Sequence, residues 1–307
     1  MTSLLRRLRR LTPSEVGARS AQRGIVALER AGLHPDGREP DEARFRRIIA
    51  GASDPEALLA AFRQSRAPAF AAMDDPVGAA AALRARWPDV AADLVDAARR
   101  AARGSFDLLG YRGLSFGDPI DWQLDPVSGR RAPLEHWSRV PYLDATVVGD
   151  HKLVWELSRH QHFVTLGQAY ALTGEESFAA SFVAQLTGWM DANPPKQGMN
   201  WASSLEVAFR AIAWTWALHL VRRSPALTPP IYRRTLGMLH LHARHIEGFL
   251  STYFSPNTHL TGEALGLVYL GTHFPELRGA RRWRERGESI LRAELARQVR
   301  PDGVYFE

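Results

Sequence analysis

The sequence predicts an all-α protein whose successive helices run antiparallel, as a bundle or an α/α toroid. Three observations carry this. Helical periodicity recurs over long spans after Lys152, no alternating strand run of useful length precedes the last residues, and short Pro- and Gly-rich connectors separate the spans. Long helices joined by short connectors pack as antiparallel neighbours. No repeat of fixed period is present, which argues against a regular solenoid.

The opening "MTSLLRRLRRLTPSEVGARS" is basic but has neither an apolar core nor a small-residue cleavage site, so as written it is not a signal peptide. Residues 1–105 are rich in Ala, Arg and Leu. Breaks near Pro35, Pro55, Pro68, Pro76 and Pro88 divide them into several short helices. From Phe106 to Asp150 the period is lost, and "FGDPIDWQLDPVSGRRAPLEHWSRVPYLD" mixes aromatics with turn formers. Long irregular segments in compact domains are often functional. Helices are then predicted over 152–172, 176–192, 202–223, 229–251, 259–273 and 280–299. They are punctuated by "LTGEE", "ANPPKQGMN", "RRSPALTPP", "YFSPNT" and "HFPELRG". In the closing "RPDGVYFE", Asp302-Gly303 signals a turn, and Val304, Tyr305 and Phe306 begin an apolar run that stops, as in a fragment.

With 307 residues, 45% hydrophobic and 23% charged, the chain can bury a substantial core. No apolar run approaches the roughly 20 residues of a membrane span. Cysteine is absent, which excludes disulfides and thiol chemistry. The net charge is +6, and all but two of the 39 basic residues are arginine, the exceptions being Lys152 and Lys196. Codon bias in a GC-rich genome and attraction of a polyanion account for this equally well. The clusters "RRLRR" near Arg6 and "RGARRWRER" near Arg281 sit in no nucleic-acid-binding motif, so nucleic acid is not the expected partner. An acidic polysaccharide fits the charge.

Four stretches could carry chemistry. In "HKLVWELSRHQHFVTLGQAYAL" a continuous helix would put Trp155, Arg159 and Phe163 on one face, and Glu156 with His160. These are either core aromatics with surface ion pairs, or a sugar-facing surface with an aromatic plane and cations for carboxylates. His160 and His162 point apart and share no metal. In "NPPKQGMNWASSLEVAFRAIAWTW", Asn200 and Trp201 precede a helix bearing Glu206 and Arg210 at i,i+4. That pair is a surface bridge of about 0.3–0.5 kcal/mol, or it lines a cavity beside Ala208, Ile212, Ala213 and Trp216. In "MLHLHARHIEG" only His242 and His245 of its three histidines share a face, with neither a third ligand nor an HExxH pattern, so no metal is expected. A glycosidase would need two facing carboxylates, for which Glu156 and Glu206 are candidates.

The fourth stretch is "FSPNTHLTGEALGL". Ser255-Pro256 ends one helix, and Asn257 or Thr258 caps the next, whose apolar stripe is Leu260, Ala264, Leu267 and Leu270 or Gly271. Gly262 and Gly266 allow close helix approach. Capping leaves His259 unexplained. The helix dipole disfavours its protonated form, whereas Glu263 on the same face favours it, a balance suited to proton transfer.

"WELSRHQHF", "NPPKQGMNW…SSLEVAFR", "SPNTHLTGEALGL" and "RQVRPDGVYFE", in that order, resemble the N-terminal domain of the heparinase II/III-like polysaccharide lyases. "LRRLTPSEVGARS" and "IDW…DP…W" are similar to the family's lead-in. The resemblance covers nearly all 307 residues. It implies an incomplete α/α toroid over 106–307, with a helical lead-in over 1–105 packed on it, normally followed by an antiparallel β-sandwich. It implies β-elimination at a uronate, without cofactor or metal, in which the C5 proton is removed and the C4-linked oxygen expelled. By this resemblance Asn257 neutralises the uronate carboxylate and His259 handles or orients the proton. Trp155, Arg159, His160, Asn200, Trp201, Glu206, Arg210 and Glu263 are then expected around the substrate. Thr258 departs from the family's usual Asn-His or Asn-Asn-His. The family's tyrosine follows "DG…FE", beyond Glu307, and Tyr305 precedes its position. The chain therefore reads as the substrate-binding half of a lyase, or else as an inactive glycan-binding module. Family members commonly work in the periplasm or outside the cell.

Overall fold

The computed structural model describes residues 12–51, 53–65 and 71–305. The basic cluster at Arg6, Pro68 and Phe306 lie outside the described residues. The lead-in consists of α1 (Pro13–Arg30), α2 (Glu42–Ile48), α3 (Pro55–Gln64), α4 (Ala71–Asp74), α5 (Pro76–Arg86) and α6 (Pro88–Ala102). Of the prolines read as breaks, Pro55, Pro76 and Pro88 open α3, α5 and α6. Pro13, Pro55, Pro76 and Pro88 sit in the first turn, where a missing N–H costs nothing. Thr12, Asp54 and Asp75 cap α1, α3 and α5 through their side-chain oxygens.

The irregular segment contains two small antiparallel hairpins that periodicity did not predict. They are β1 (Ser105–Leu108) with β2 (Tyr111–Ser115), and β3 (Leu124–Asp125) with β4 (Arg130–Arg131). Strands of two to five residues are too short to show an alternating pattern. After α7 (Ala145–Val148), the predicted helix 152–172 is two helices, α8 (His151–Ser158) and α9 (Gln161–Thr173). The break is His160, at φ 61° in the left-handed region, which interrupts the ladder although neither Pro nor Gly marks it. The remaining helices follow the predicted spans: α10 (Glu176–Ala192), α11 (Ser204–Val221), α12 (Pro229–Gly248), α13 (Thr258–His273) and α14 (Ala280–Gln298).

These helices alternate in direction as an α/α toroid does. Trp214 reaches back to His160, and Gly262 and Gly266 face Leu205 and Ala208, so α9, α11 and α13 run parallel. Phe182 against Phe163, Arg210 against His242 and Gly287 against Ala264 make α10, α12 and α14 antiparallel to them. A Cβ on Gly266 would come 2.7 Å from that of Ala208, so this crossing needs glycine. The lead-in shares the core: Phe62 stacks on Tyr232 at 4.8 Å, and one buried cluster runs from Phe45 to Trp283. Among the described residues no helix is long and apolar enough to cross a membrane.

Candidate functional site

The parallel course of α9, α11 and α13 brings their N-terminal ends to one rim, with the connectors 193–203 and 249–257. Asn257 caps α13. Its Oδ1 accepts the backbone N–H of His259 and lies 3.1 Å from His259 Nδ1. Asn257 is half-buried and His259 exposed, so the pair is presented at the rim. Phe254, three residues earlier, is 88% exposed.

Glu263 is on α13 but turns to the core, and its expected influence on His259 is not what the structure builds. Its carboxyl accepts the Ser251 N–H (2.7 Å) and lies 2.6 Å from Ser251 Oγ, tying down the connector that leads to Asn257. Burial pushes its pKa up to about 7, against the pull of both Ser251 contacts. Tyr305 Oη donates to Gln298 and is 3.2 Å from Thr261 Oγ1, one turn into α13.

The expected Glu206–Arg210 bridge is replaced by two other sets of partners. Glu206 takes a two-pronged contact from Arg159, whose Nε and Nη2 donate at 2.7 and 2.9 Å, while Nη1 donates to Glu156 at 2.6 Å. The helical wheel puts Glu206 near Arg210 but cannot see α8 arriving from the side. With two carboxylates on one guanidinium, Arg159 is not the open cation that carboxylate binding would need. Glu156 and Glu206 likewise bridge to a shared cation instead of facing a glycosidic bond.

Arg210 is fully buried. It donates to His242 Nε2 (3.0 Å), the Ser158 carbonyl (3.2 Å) and the Asn200 carbonyl (2.8 Å), and its guanidinium lies 4.3 Å from the Trp189 ring centre. Burial lowers its pKa to about 9. Asn200 and Trp201 are buried with it, Asn200 donating to Asn193 Oδ1 and the Trp122 carbonyl. His160 is buried too, stacked on Phe163 and accepting from Trp214 Nε1 at 2.7 Å. Burial holds its pKa well below the usual histidine value. Its left-handed backbone removes it from the face it was expected to share with Glu156. These four side chains form the floor beneath the rim, where solvent does not reach. Trp155 is half-buried beside His151 and Tyr142, with Nε1 donating to the Met199 carbonyl.

Sequence reasoning missed a buried ionic cluster on the same rim. Lys196 Nζ pairs with Glu29 of α1 at 3.0 Å and donates to His245 Nδ1 at 2.7 Å. Glu29 also accepts from Trp137 Nε1 at 3.0 Å, and His136 Nε2 is 3.3 Å away. Burial lowers the Lys196 pKa, opposed by Glu29, and holds His245 well below the usual value, so its ring is a neutral acceptor. The available signal was Lys196 itself, one of two lysines in an arginine-dominated chain. Among the described residues no three His, Asp or Glu side chains gather as a metal site.

Three comparisons bear on this arrangement. The family described as heparinase II/III N-terminus matches residues 87–307. A heparin-sulfate lyase of Bacteroides stercoris is 30% identical over 219 residues, covering 64% of this chain and 29% of the relative. A heparin-sulfate lyase of Pedobacter heparinus is 29% identical over 204 residues, covering 64% and 27%. The chain thus spans less than a third of the length of these relatives. Among solved structures, a heparan sulfate lyase from Pedobacter heparinus superposes with a TM-score of 0.62 at 26% identity, covering 93% of this chain and 40% of that one. A heparinase III structure gives 0.60 at 26% identity, covering 88% and 42%.

Proposed function

The chain belongs to the heparinase II/III family by its match over residues 87–307, and from that premise we propose that it is the substrate-binding, toroid part of a polysaccharide lyase. Its substrate is an acidic polysaccharide containing uronate, with heparan sulfate the first choice because the curated relatives are named for it. Residues 1–105 are the lead-in and 106–307 the toroid.

One observation carries the reading: the Asn257–His259 pair, held by a cap at an exposed rim. Abstraction of the C5 proton turns the uronate carboxylate toward a dianion, which must be stabilised by a donor fixed in place beforehand. Because Asn257 Oδ1 is engaged with His259 N–H, the amide is oriented with its NH2 as the donor end. His259 is exposed beside it and can take or orient a proton. Three helix N-termini meet at this rim and favour negative charge there. Arg159, Glu206 and Glu156 shape the rim, while Arg210, Asn200, Trp201 and His160 hold it rigid from below. A glycosidase is disfavoured by the shared guanidinium between Glu156 and Glu206.

The test is to incubate the full-length protein with heparan sulfate, alginate and a bacterial uronate exopolysaccharide. A lyase produces an unsaturated uronate with ultraviolet absorbance. New reducing ends without absorbance would show a hydrolase, and binding without either would show a glycan-binding module.

A further inference from the structure

Beside the rim, α1 lies across the surface and walls one side of a cleft of about 730 Å³. Arg19, Arg23 and Arg30 project into it from one face of α1, at i, i+4 and i+11. Trp137 and Phe249 form the opposite wall, their ring centres 5.0 Å apart at 78°. By helix rise the three arginines leave α1 at intervals of about 6 and 10 Å along the cleft. Arg19 is paired with Glu15 at 2.7 Å, but among the described residues Arg23 and Arg30 have no carboxylate partner, and both are exposed. The nearby Glu29 adds no open negative charge, because it is buried against Lys196.

We propose that this cleft is an anion-reading subsite for an acidic oligosaccharide, set apart from the Asn257–His259 pair. The identity of the ligand rests on the lyase reading; the cleft's cationic character does not. Its chemistry is two-sided. Guanidiniums recognise carboxylate or sulfate groups with paired N–H donors, and half-buried aromatic rings accept the apolar C–H face of a pyranose. A purely apolar ligand would leave two arginines unmatched, and a simple anion would leave the aromatic wall unused.

The position of the cleft extends the argument. A second groove continues along α1 past Leu250, Tyr253 and Phe254, in the connector that ends at Asn257. A chain lying in both would have one residue at Asn257 and its neighbours read by α1. The subsite would then select where along the polymer the reaction occurs.

The test measures binding of size-defined heparan sulfate oligosaccharides to the 307-residue chain by calorimetry at two salt concentrations. The variants are Arg23→Ala/Arg30→Ala and Arg23→Lys/Arg30→Lys, with dextran sulfate as a sulfated probe lacking uronate. Both positions are exposed, so melting curves should match the parent. Loss of two charge-assisted contacts should weaken binding about tenfold or more and flatten its salt dependence, with the lysine variant intermediate. Equal binding by the alanine variant, or no oligosaccharide binding by the parent, overturns the subsite. The same loss seen with dextran sulfate keeps the cleft as a sulfate reader. The lyase reading fails separately, by absence of unsaturated uronate from the full-length protein.

Discussion

Asn257 joins a cap to a proposed donor, and one substitution separates the two. Aspartate keeps the acceptor that receives the His259 N–H, so Asn257→Asp should melt close to the parent. It also sets a like charge against the substrate carboxylate, so elimination by the full-length protein should fall by about 10²-fold or more. Full activity in that variant would reduce Asn257 to a cap. Glu263 makes a prediction in pH. Its folded pKa is raised to about 7, so between about 4.5 and 7 the native state holds a proton that the unfolded chain has released. Stability from this group is therefore largest in acid and declines as pH rises to 7. Glu263→Gln should flatten that slope, on the order of 3 kcal/mol across the window, as read by denaturant titrations at several pH values. The cap at Asn257 was legible because capping is local. The partners of Glu206, Arg210 and Glu263 were not, because they come from other elements: Arg159 at the end of α8 for Glu206, α8, α12 and the connector 193–203 for Arg210, and Ser251 for Glu263.

The approach of α11 to α13 depends on a position with no side chain. On propensity alone Gly266→Ala should stabilise α13 by about 1 kcal/mol. The added Cβ would lie 2.7 Å from that of Ala208, and overpacking of this kind costs about 1–3 kcal/mol. Net destabilisation is expected, with partial rescue by Ala208→Gly in a double-mutant cycle. A more stable Gly266→Ala protein would mean that the two helices can separate at no cost. The long helices were readable because their periodicity and proline breaks are strong. The break at His160 was not, since its cause is tertiary: the ring is held among Phe163, Trp189 and Trp214. The hairpins over 105–131 were missed for shortness alone.

At the scale of the whole molecule, the buried carboxylate of Glu29 ties α1 to the toroid beside its apolar contacts. Glu29→Ala leaves Lys196 buried without its counter-ion, a defect worth about 3–5 kcal/mol. Hydrogen exchange should show loss of protection over residues 13–30. The double variant Glu29→Leu/Lys196→Met should recover much of the loss, because it leaves no orphan charge. Unchanged protection in Glu29→Ala would show that α1 is held by its apolar contacts. The order of helices made the toroid legible from sequence, and several motifs in sequence gave the family. The attachment of α1 could not be read, because Glu29 and Lys196 lie 167 positions apart and only folding joins them.

Alternating helix direction also divides the toroid's connectors between two ends. Those at 193–203 and 249–257 serve the rim of Asn257, while 222–228 and 274–279 serve the opposite end, where Arg63 binds the carbonyls of Arg222, Ser224 and Leu227. At the first end only the exposed run 252–254 is free of buried ties, since Lys196, Asn200 and Trp201 are buried and Ser251 is held by Glu263. Chain insertions at 252–254 would therefore alter what the protein meets and spare the helix packing. Insertions at the second would disturb the seat of the lead-in and leave the rim as it is. Diversification of specificity and drift in stability can therefore proceed in separate stretches of one gene, and libraries built on this scaffold should confine their variation to the exposed residues Thr252, Tyr253 and Phe254.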